Sequence, residues 1–403
     1  MKKTSWLKPF TVAASIVLGT STNIVSAAEI DASWQDTLKE AAGQTVYFNA
    51  WGGSDRINGY IAWAAEQIDE QYGVKLEHVK IGDIAEVVSQ LEAAKAVGRN
   101  DDGNVDLMWV NGENFANMKN NALTWGAFAT TLPNAANLKD SESLTMDFSV
   151  PVEGLESPWG AAQLVFIYDT AVVEKPPASA AELLEFVNNG GRFAYPAPPV
   201  FHGTTIVKQL LHELTEDKVA LAQPVSQADF DAVTAPLWDY LDQLHPKLWG
   251  KGESWPASAE NTRQMVDDGE LDISLSFNPN EASAAVRDGQ LPESVRTYTF
   301  TDGTIGNTHF VTIPFNAKAK AGAKVVANFF ISAGAQARKA DPANWGDPTV
   351  LDIAKLDTDE RALFNNIDLG PWALPIGSGK TLPEPHASWA EALEQAWLTR
   401  YGN

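Results

Sequence analysis

An α/β fold in two lobes, with a hinge and an interlobe cleft, is what this sequence predicts, and three observations carry the prediction. In the first third of the chain, β-rich runs give way repeatedly to helices with an apolar period near 3.6 residues. Proline- and glycine-rich pieces between Val150 and Gly160 then interrupt that alternation before a new apolar strand. Far downstream, the stretch 299–314 is again strand-like and carries the chain back. With 403 residues the chain has room for two well-buried cores.

The elements follow in order. Thr45-Val46-Tyr47-Phe48-Asn49-Ala50-Trp51 is a strand leaving through Gly52, Gly53 and the helix-capping Ser54. Ile57, Ile61, Ala64, Ala65, Ile68 and Tyr72 then mark a helix. A second strand at 74–79 and a helix at 84–97 come next, followed by a third strand at 105–110 that breaks at Asn111-Gly112-Glu113-Asn114 before another helix. Asp101-Asp102-Gly103-Asn104 is a turn, since the spacing of a calcium loop is absent. Three βα units in a row imply a parallel sheet.

The second lobe opens on the strand 163–169. A helix capped by Ser179 and stopped at Asn189-Gly190-Gly191 precedes a short strand at 193–196. Its exit, 198–205, predicts a helix start at Gly203-Thr204-Thr205, the kind of terminus that faces a cleft. Helical spacing at 228–248 contains Pro236, which is expected to kink or divide the helix. Trp255-Pro256-Ala257-Ser258 opens a helix ended by Gly269, and the strand 271–277 leaves through Asn278-Pro279-Asn280-Glu281 into an alanine-rich helix. The return stretch leads to a helix at 318–333, and the remaining residues form helical pieces separated by prolines. The boundaries expected are 1–28 for a leader, 29–155 with 305–335 for lobe 1, 156–304 for lobe 2, and 336–403 for a helical region packed on both.

The leader is read from Lys2, Lys3 and Lys8, an apolar middle at 10–19, and the small residues Ser26, Ala27 and Ala28, which predict cleavage near Ala28. No later run is long and apolar enough to span a bilayer. The chain has no cysteine, which excludes disulfides, thiol catalysis and a cysteine-linked lipid anchor. Export without disulfides suits a soluble periplasmic protein. Losing three lysines leaves 26 of the 29 basic residues against 52 acidic ones, so the mature charge is −26. That surface excludes nucleic acid and anionic lipid as partners and modestly favours cationic or zwitterionic ligands, although most such charges simply solvate exposed faces.

No catalytic set can be assembled. Gly377-Ser378-Gly379-Lys380-Thr381 imitates the end of a phosphate loop, but Leu374 replaces its first glycine and prolines follow where a helix should start. His212-Glu213 lacks the second histidine of a zinc protease, no Gly-x-Ser-x-Gly elbow occurs, and six scattered histidines make no metal cluster. No metal or cofactor is expected. A secreted α/β hydrolase acting on a small polar substrate stays as the rival, because paired carboxylates leave no local motif.

The order of parts resembles the type II periplasmic solute-binding proteins of ABC importers across nearly the whole mature chain. The likeness rests on Tyr47-Phe48-Asn49-Ala50-Trp51-Gly52-Gly53, on Asp106-Leu107-Met108-Trp109-Val110-Asn111-Gly112-Glu113, and on 160–169, 192–196 and 272–279. Together these stretches look most like the YnjB-like branch, for which a thiamine-like ligand has been guessed. The resemblance implies the two-lobed type II periplasmic-binding fold, with a solute held between the lobes and a hinge closing on it. It also implies a monomer that docks on the permease and ATPase subunits of an ABC importer. Closure around a solute needs contacts from both lobes, since moving an equilibrium from mostly open to mostly closed takes roughly 5 kcal/mol.

Candidate contacts in the first lobe are Trp51, Gly52, Gly53, Ser54, Asn111 and Glu113, which occupy two neighbouring strand exits. Each also has a plain structural role open to it, as a turn or cap residue. In the second lobe the candidates are Trp159, His202, Thr204, Thr205, Trp255, Asn278 and Glu281. Trp159 and Trp255 stand beside prolines and either roof a pocket or fill a packing gap, and His202 is more commonly a loop histidine than a contact. Asn278 is the best single polar candidate there. Aromatic rings with Glu113 or Glu281 suit a quaternary or aromatic amine, while a sugar stacking on tryptophan remains open.

Overall fold

The computed structural model describes residues 27–375 and 379–402, with side chains from Ser33 onward. The expected leader therefore lies outside the described residues except for Ala27 and Ala28, which begin the first helix, and so do Gly377 and Ser378 of the phosphate-loop mimic. The first lobe contains α1 (Ala27–Ala41), β1 (Thr45–Trp51), α2 (Asp55–Tyr72), β2 (Lys75–Ile81), α3 (Ile84–Ala96), β3 (Leu107–Val110) and α4 (Glu113–Asn120). A small hairpin of β4 (Met146–Asp147) and β5 (Val150–Pro151) leads into β6 (Glu156–Gln163), and β7 (Val165–Asp169) then enters the second lobe.

That lobe continues with α5 (Ala180–Asn188), α6 (Phe201–Leu214), α7 (Lys218–Leu221), α8 (Phe230–Leu244), α9 (Ala259–Asp267), β8 (Ile273–Ser276), α10 (Glu281–Arg287) and β9 (Val295–Tyr298). The long β10 (Thr304–Thr312) returns, followed by α11 (Lys320–Phe330), α12 (Ala333–Ala340), α13 (Thr358–Ala362), β11 (Thr381–Leu382) and α14 (Ser388–Tyr401). Among the described residues no helix is long and apolar enough to cross a membrane.

β2, β1 and β3 pair in parallel, as the three βα units require. β10 joins β3 antiparallel and also pairs with β6 and β11, which makes the large sheet mixed. The second lobe is built on a smaller antiparallel sheet ordered β8-β7-β9. Local chemistry explains the first unit well. Ser54 caps α2 by accepting the Ile57 N–H at 3.4 Å, and Gly73, at φ +63°, ends it by donating to Asp69 O. Between the caps, Ile57, Ile61 and Ile68 are buried against the sheet, each contributing about 1.5–3 kcal/mol.

Buried Asp106 links three pieces of the first lobe. Its carboxylate accepts the Tyr47 N–H at 3.0 Å and the Lys318 and Ala319 N–H groups at 2.9 and 2.7 Å, tying the entry to β3 to β1 and to the start of α11.

The chain crosses between lobes at Leu164, whose N–H donates to Ile305 O at 2.8 Å. Gln209 of α6 braces the crossing by accepting the Ile305 N–H at 2.8 Å and donating to Gly303 O at 3.2 Å. The sequence reading opened lobe 2 at residue 156, whereas 156–163 hydrogen-bonds along the large sheet. Pro158 and Gly160 disguise that strand. The ladder shifts register between His309 and Phe310, opposite Gly160 and Pro158, so the intervening Trp159 sits in a bulge and turns into the core.

Two other expectations differ from the structure. α6 begins at Phe201, which puts Gly203, Thr204 and Thr205 inside its first turns, and α8 runs on through Pro236. The segment 193–196 contributes only a bridge from Phe193 to Ile273.

The two lobes have separate cores. In the first, Phe48, Tyr60, Trp159 and Phe330 pack together, with Trp159 edge-on to Phe48 at 5.9 Å and tilted on Phe330 at 4.8 Å. The second is centred on Phe166, Tyr195, Leu237, Trp389 and Trp397, the last two supplied by α14. Gly160 lets the backbone of β6 approach the buried Lys339–Asp347 ion pair, because a Cβ there would strike both side chains. Gly160→Ala is expected to cost about 1–3 kcal/mol, measured as a drop in the thermal midpoint.

Candidate functional site

The strand exits of the first lobe meet the second lobe at two places. Trp51 ends β1 and is 38% exposed, a large apolar surface to leave in water. Gly52 and Gly53 serve its placement, since a Cβ at 52 would meet the Lys80 stem and one at 53 the Trp51 indole. Asn58 holds the same turn by donating to Gly52 O at 2.9 Å. Ser54 acts as the helix cap described above. The residue that reaches across is Arg56, two positions later. Its guanidinium bonds to Asp288 and Ala284 O of α10 and to Pro342 O. A cation in the first turn of a helix opposes the helix dipole, so Arg56 is a visible signal in the sequence that the reading passed over.

Glu281 opens α10 and pairs with Arg263 of α9. Burial pushes its carboxyl up, while Arg263 and the more distant Arg56 pull it down. Ser54 and Glu281, both predicted contacts, therefore stand on facing turns. Asn278 is fully engaged within the protein: its Oδ1 accepts the Asn280 N–H at 2.9 Å and its Nδ2 donates to Trp345 O at 3.4 Å. It clips the segment carrying Trp345 to the second lobe, with Asn280 donating to Gly346 O at 2.7 Å beside it. Trp345 in turn packs on Trp109 at 5.9 Å and Tyr60 at 5.5 Å in the first lobe.

The second meeting place lies under the turn from β3 to α4. Gly112 has φ +63°, donates to Asp147 Oδ2 at 2.8 Å and is roofed by Phe148. It presents half-buried Asn111 and exposed Glu113. Lys208 of α6 is buried here, 2.6 Å from Glu384 and with its ammonium 4.4 Å above the Phe148 ring. Thr204, one turn earlier, donates to Glu394 of α14 at 2.6 Å. Burial pushes the Glu384 and Glu394 carboxyls up, partly offset by Lys208 at the first and the Thr204 hydroxyl at the second, and Glu113 adds its negative charge to both. Glu113 and Thr204 thus share one acidic neighbourhood, which offers Glu113, Glu384 and Glu394 against a single lysine.

The remaining predicted residues lie elsewhere. Trp159 is fully buried in the first core, and Trp255 is half-buried against Tyr195, His245 and Trp397 at 5.2, 4.9 and 5.0 Å in the second. Trp159 therefore fills a packing gap, while Trp255 stays partly exposed. Thr205 is buried and bonds back to Phe201 O at 2.8 Å within its helix. Half-buried His202 stands edge-on to exposed Phe201 at 5.4 Å, with its ring pushed down by burial against the pull of Glu260. Sequence reasoning missed Arg56, Lys208, Glu384 and Glu394, and the last three carry no local signal because partners far apart in the chain define them. Among the described residues no group of three or more histidine, aspartate or glutamate side chains is placed to hold a metal ion.

Comparison with known proteins fits this geometry. The chain is 46% identical over 381 residues to protein YnjB of Escherichia coli (strain K12), covering 94% of this chain and 97% of that protein. No protein-family model matches. Among solved structures, the periplasmic binding protein AfuA of Actinobacillus pleuropneumoniae superposes with a TM-score of 0.62 at 14% identity, covering 89% of this chain and 99% of its own. A periplasmic thiamin binding protein gives 0.60 at 14% identity, with 89% and 96% covered. At such identities these two likenesses establish the two-lobed periplasmic-binding fold.

Proposed function

This chain belongs to the family of Escherichia coli protein YnjB, and from that premise we propose that it is a periplasmic, non-enzymatic receptor that captures a small solute between its lobes. It hands the solute to the membrane permease of an ABC importer, with thiamine-like or other amine cations as the favoured class. The observation that carries the reading is the double meeting of the lobes: the β1–α2 turn through Arg56 with α10, and the β3–α4 turn with the Thr204–Glu394–Lys208 cluster. Among the structural neighbours, a thiamin binding protein and a spermidine/putrescine substrate-binding protein support the amine class, while a ferric ion-binding protein and one with fructose-6-phosphate bound do not. Trp51, Asn111, Glu113, His202 and Glu281 are the proposed contacts, and the excess of carboxylates near Glu113 supports a positively charged solute.

A thermal-shift screen of the mature protein against thiamine, choline, spermidine and glucose tests this. A ligand present at 100 times its dissociation constant adds about 2.7 kcal/mol of stability. An amine is expected to raise the midpoint, and glucose to leave it unchanged. Trp51→Ala should then weaken binding about 2- to 30-fold, the equivalent of a cation–π contact of roughly 0.5–2 kcal/mol. Stabilisation by glucose alone would overturn the amine assignment, and chemical turnover of any hit would overturn the receptor reading in favour of a hydrolase.

A further inference from the structure

Two buried carboxyl groups beneath the β3–α4 turn lack the counter-charges such groups require. Asp147 and Glu156 are 1% and 0% exposed. Asp147 Oδ2 accepts the Gly112 N–H, but Asp147 Oδ1 and both oxygens of Glu156 have no hydrogen-bond partner. The charged groups facing Asp147 are Glu113 of α4, Glu384 before α14 and Lys208 of α6, while Glu156 faces Asp147 and Lys119 of α4. Neither lysine is free to serve the pair. Lys208 is held by Glu384 at 2.6 Å, and Lys119 by Glu153 at 3.0 Å and by Pro151 O. An ionised carboxylate left unpaired in such a place costs several kcal/mol, and binding a proton removes most of that cost.

We propose that Glu156 is held as a neutral carboxylic acid in the neighbourhood of Asp147, which accepts the Gly112 N–H and so fixes the turn carrying Asn111 and Glu113. The pair is then a pH-sensitive device built into the cleft floor, and its bearing on solute capture rests on the clamp reading above. The division of roles follows from the hydrogen bonds. A backbone N–H favours the charged form of its acceptor, so the proton belongs on Glu156, which has no donor to stabilise a charge. Burial pushes both carboxyls well up, with mutual repulsion adding to the shift at Glu156. Groups raised in this way stabilise the fold fully below the ordinary carboxyl range, and that stability is lost as pH rises through their native values. Alkaline solution, in which the Glu156 proton passes to solvent base, should therefore loosen the turn.

Two measurements test the pair without any solute, so they stay separate from the receptor question. Infrared spectroscopy of the intact protein is expected to show protonated-carboxyl absorption at pH 7 that Glu156→Gln reduces, leaving the share of other carboxyls that burial pushes up, such as Glu281, Glu384 and Glu394. Hydrogen exchange over residues 108–116, corrected for the intrinsic effect of pH and followed upward from pH 6, is expected to show protection that the wild type loses on the alkaline side and Glu156→Gln keeps. Absorption unchanged by Glu156→Gln, or the same exchange profile in both proteins at every pH, would overturn the proposal. Should Glu156→Gln fail to fold, residue-assigned carboxyl carbon NMR of the wild type decides: a protonated Glu156 signal at pH 7 supports the proposal, and an ionised one sinks it.

Discussion

Replacing Asp347 by asparagine is expected to destabilise the first lobe by about 3–5 kcal/mol, the usual consequence of leaving one partner of a buried ion pair alone. Lys339 is wholly buried on α12, with its ammonium 5.8 Å from the centre of the Trp159 ring and 5.3 Å from that of Trp345. Asp347 is the carboxylate it bonds, and Asp347 also accepts from His309 Nε2 at 3.2 Å. Burial pushes the lysine down from its ordinary value, and Asp347 is what pulls it back toward the charged form.

Without that carboxylate the native lysine is pushed further down, whereas the unfolded chain keeps a value of about 10.4. A depressed native value means that stability is lost as pH falls below the unfolded value, so the deficit of Asp347→Asn should be larger at pH 6 than at pH 9. Removing both charges is a different matter. Lys339→Met with Asp347→Leu leaves no orphan charge and should recover much of the loss, since apolar replacements of buried pairs are often neutral or better. Urea unfolding at the two pH values measures all three proteins. An Asp347→Asn midpoint equal to wild type would show that Lys339 is already neutral and the pair inert.

Physical causes decide how much of this molecule was legible in its sequence. The first unit was easy because its signals are local: Thr45–Trp51 is a β-rich run, Ser54 caps, and Ile57, Ile61 and Ile68 recur at helical spacing, and the structure agrees at each point. β6 was hidden because a proline and a glycine normally argue against a strand, and only pairing with β10, nearly 150 residues later, shows the bulge that accommodates them. β11 was missed for a related reason, as two residues of the tail become a strand only by joining β10.

Within the candidate site, the turns were predictable and the partnerships were not. Asn278 looked free in the sequence, yet an asparagine before proline readily bonds its own backbone two residues on, and here it does so through Asn280. Trp159 looked like a loop ring until the bulge turned it inward.

Arg56→Ala is expected to open the clamp. Under the proposed clamp, α2 of one lobe is joined to α10 of the other by a side chain that bonds the Asp288 carboxylate and Ala284 O, while its bond to Pro342 O stays with the segment packed on the first core. Arg56 is about a quarter exposed in this arrangement and Asp288 somewhat more, so solvent screening keeps the ion pair itself to roughly 1 kcal/mol. The bond to Ala284 O, long at 3.4 Å, adds about 1 kcal/mol. Losing some 2 kcal/mol of bias shifts the closed-to-open ratio by about 30-fold. A solute that binds only the closed form then loses affinity by up to the same factor, and the loss shrinks if the wild type rests far on the closed side.

Small-angle scattering of the unliganded protein should register a larger radius of gyration for Arg56→Ala. Arg56→Lys should fall between the two, because a point charge lacks the fork that reaches several acceptors at once. Asp288→Asn removes the pair but spares the Ala284 bond, so it should produce only part of the change. Scattering curves that coincide for wild type and Arg56→Ala, with unaltered solute affinity, would mean that the clasp only decorates a closure held by other contacts, with the Trp345 segment and its Asn278 and Asn280 clips next to be cut.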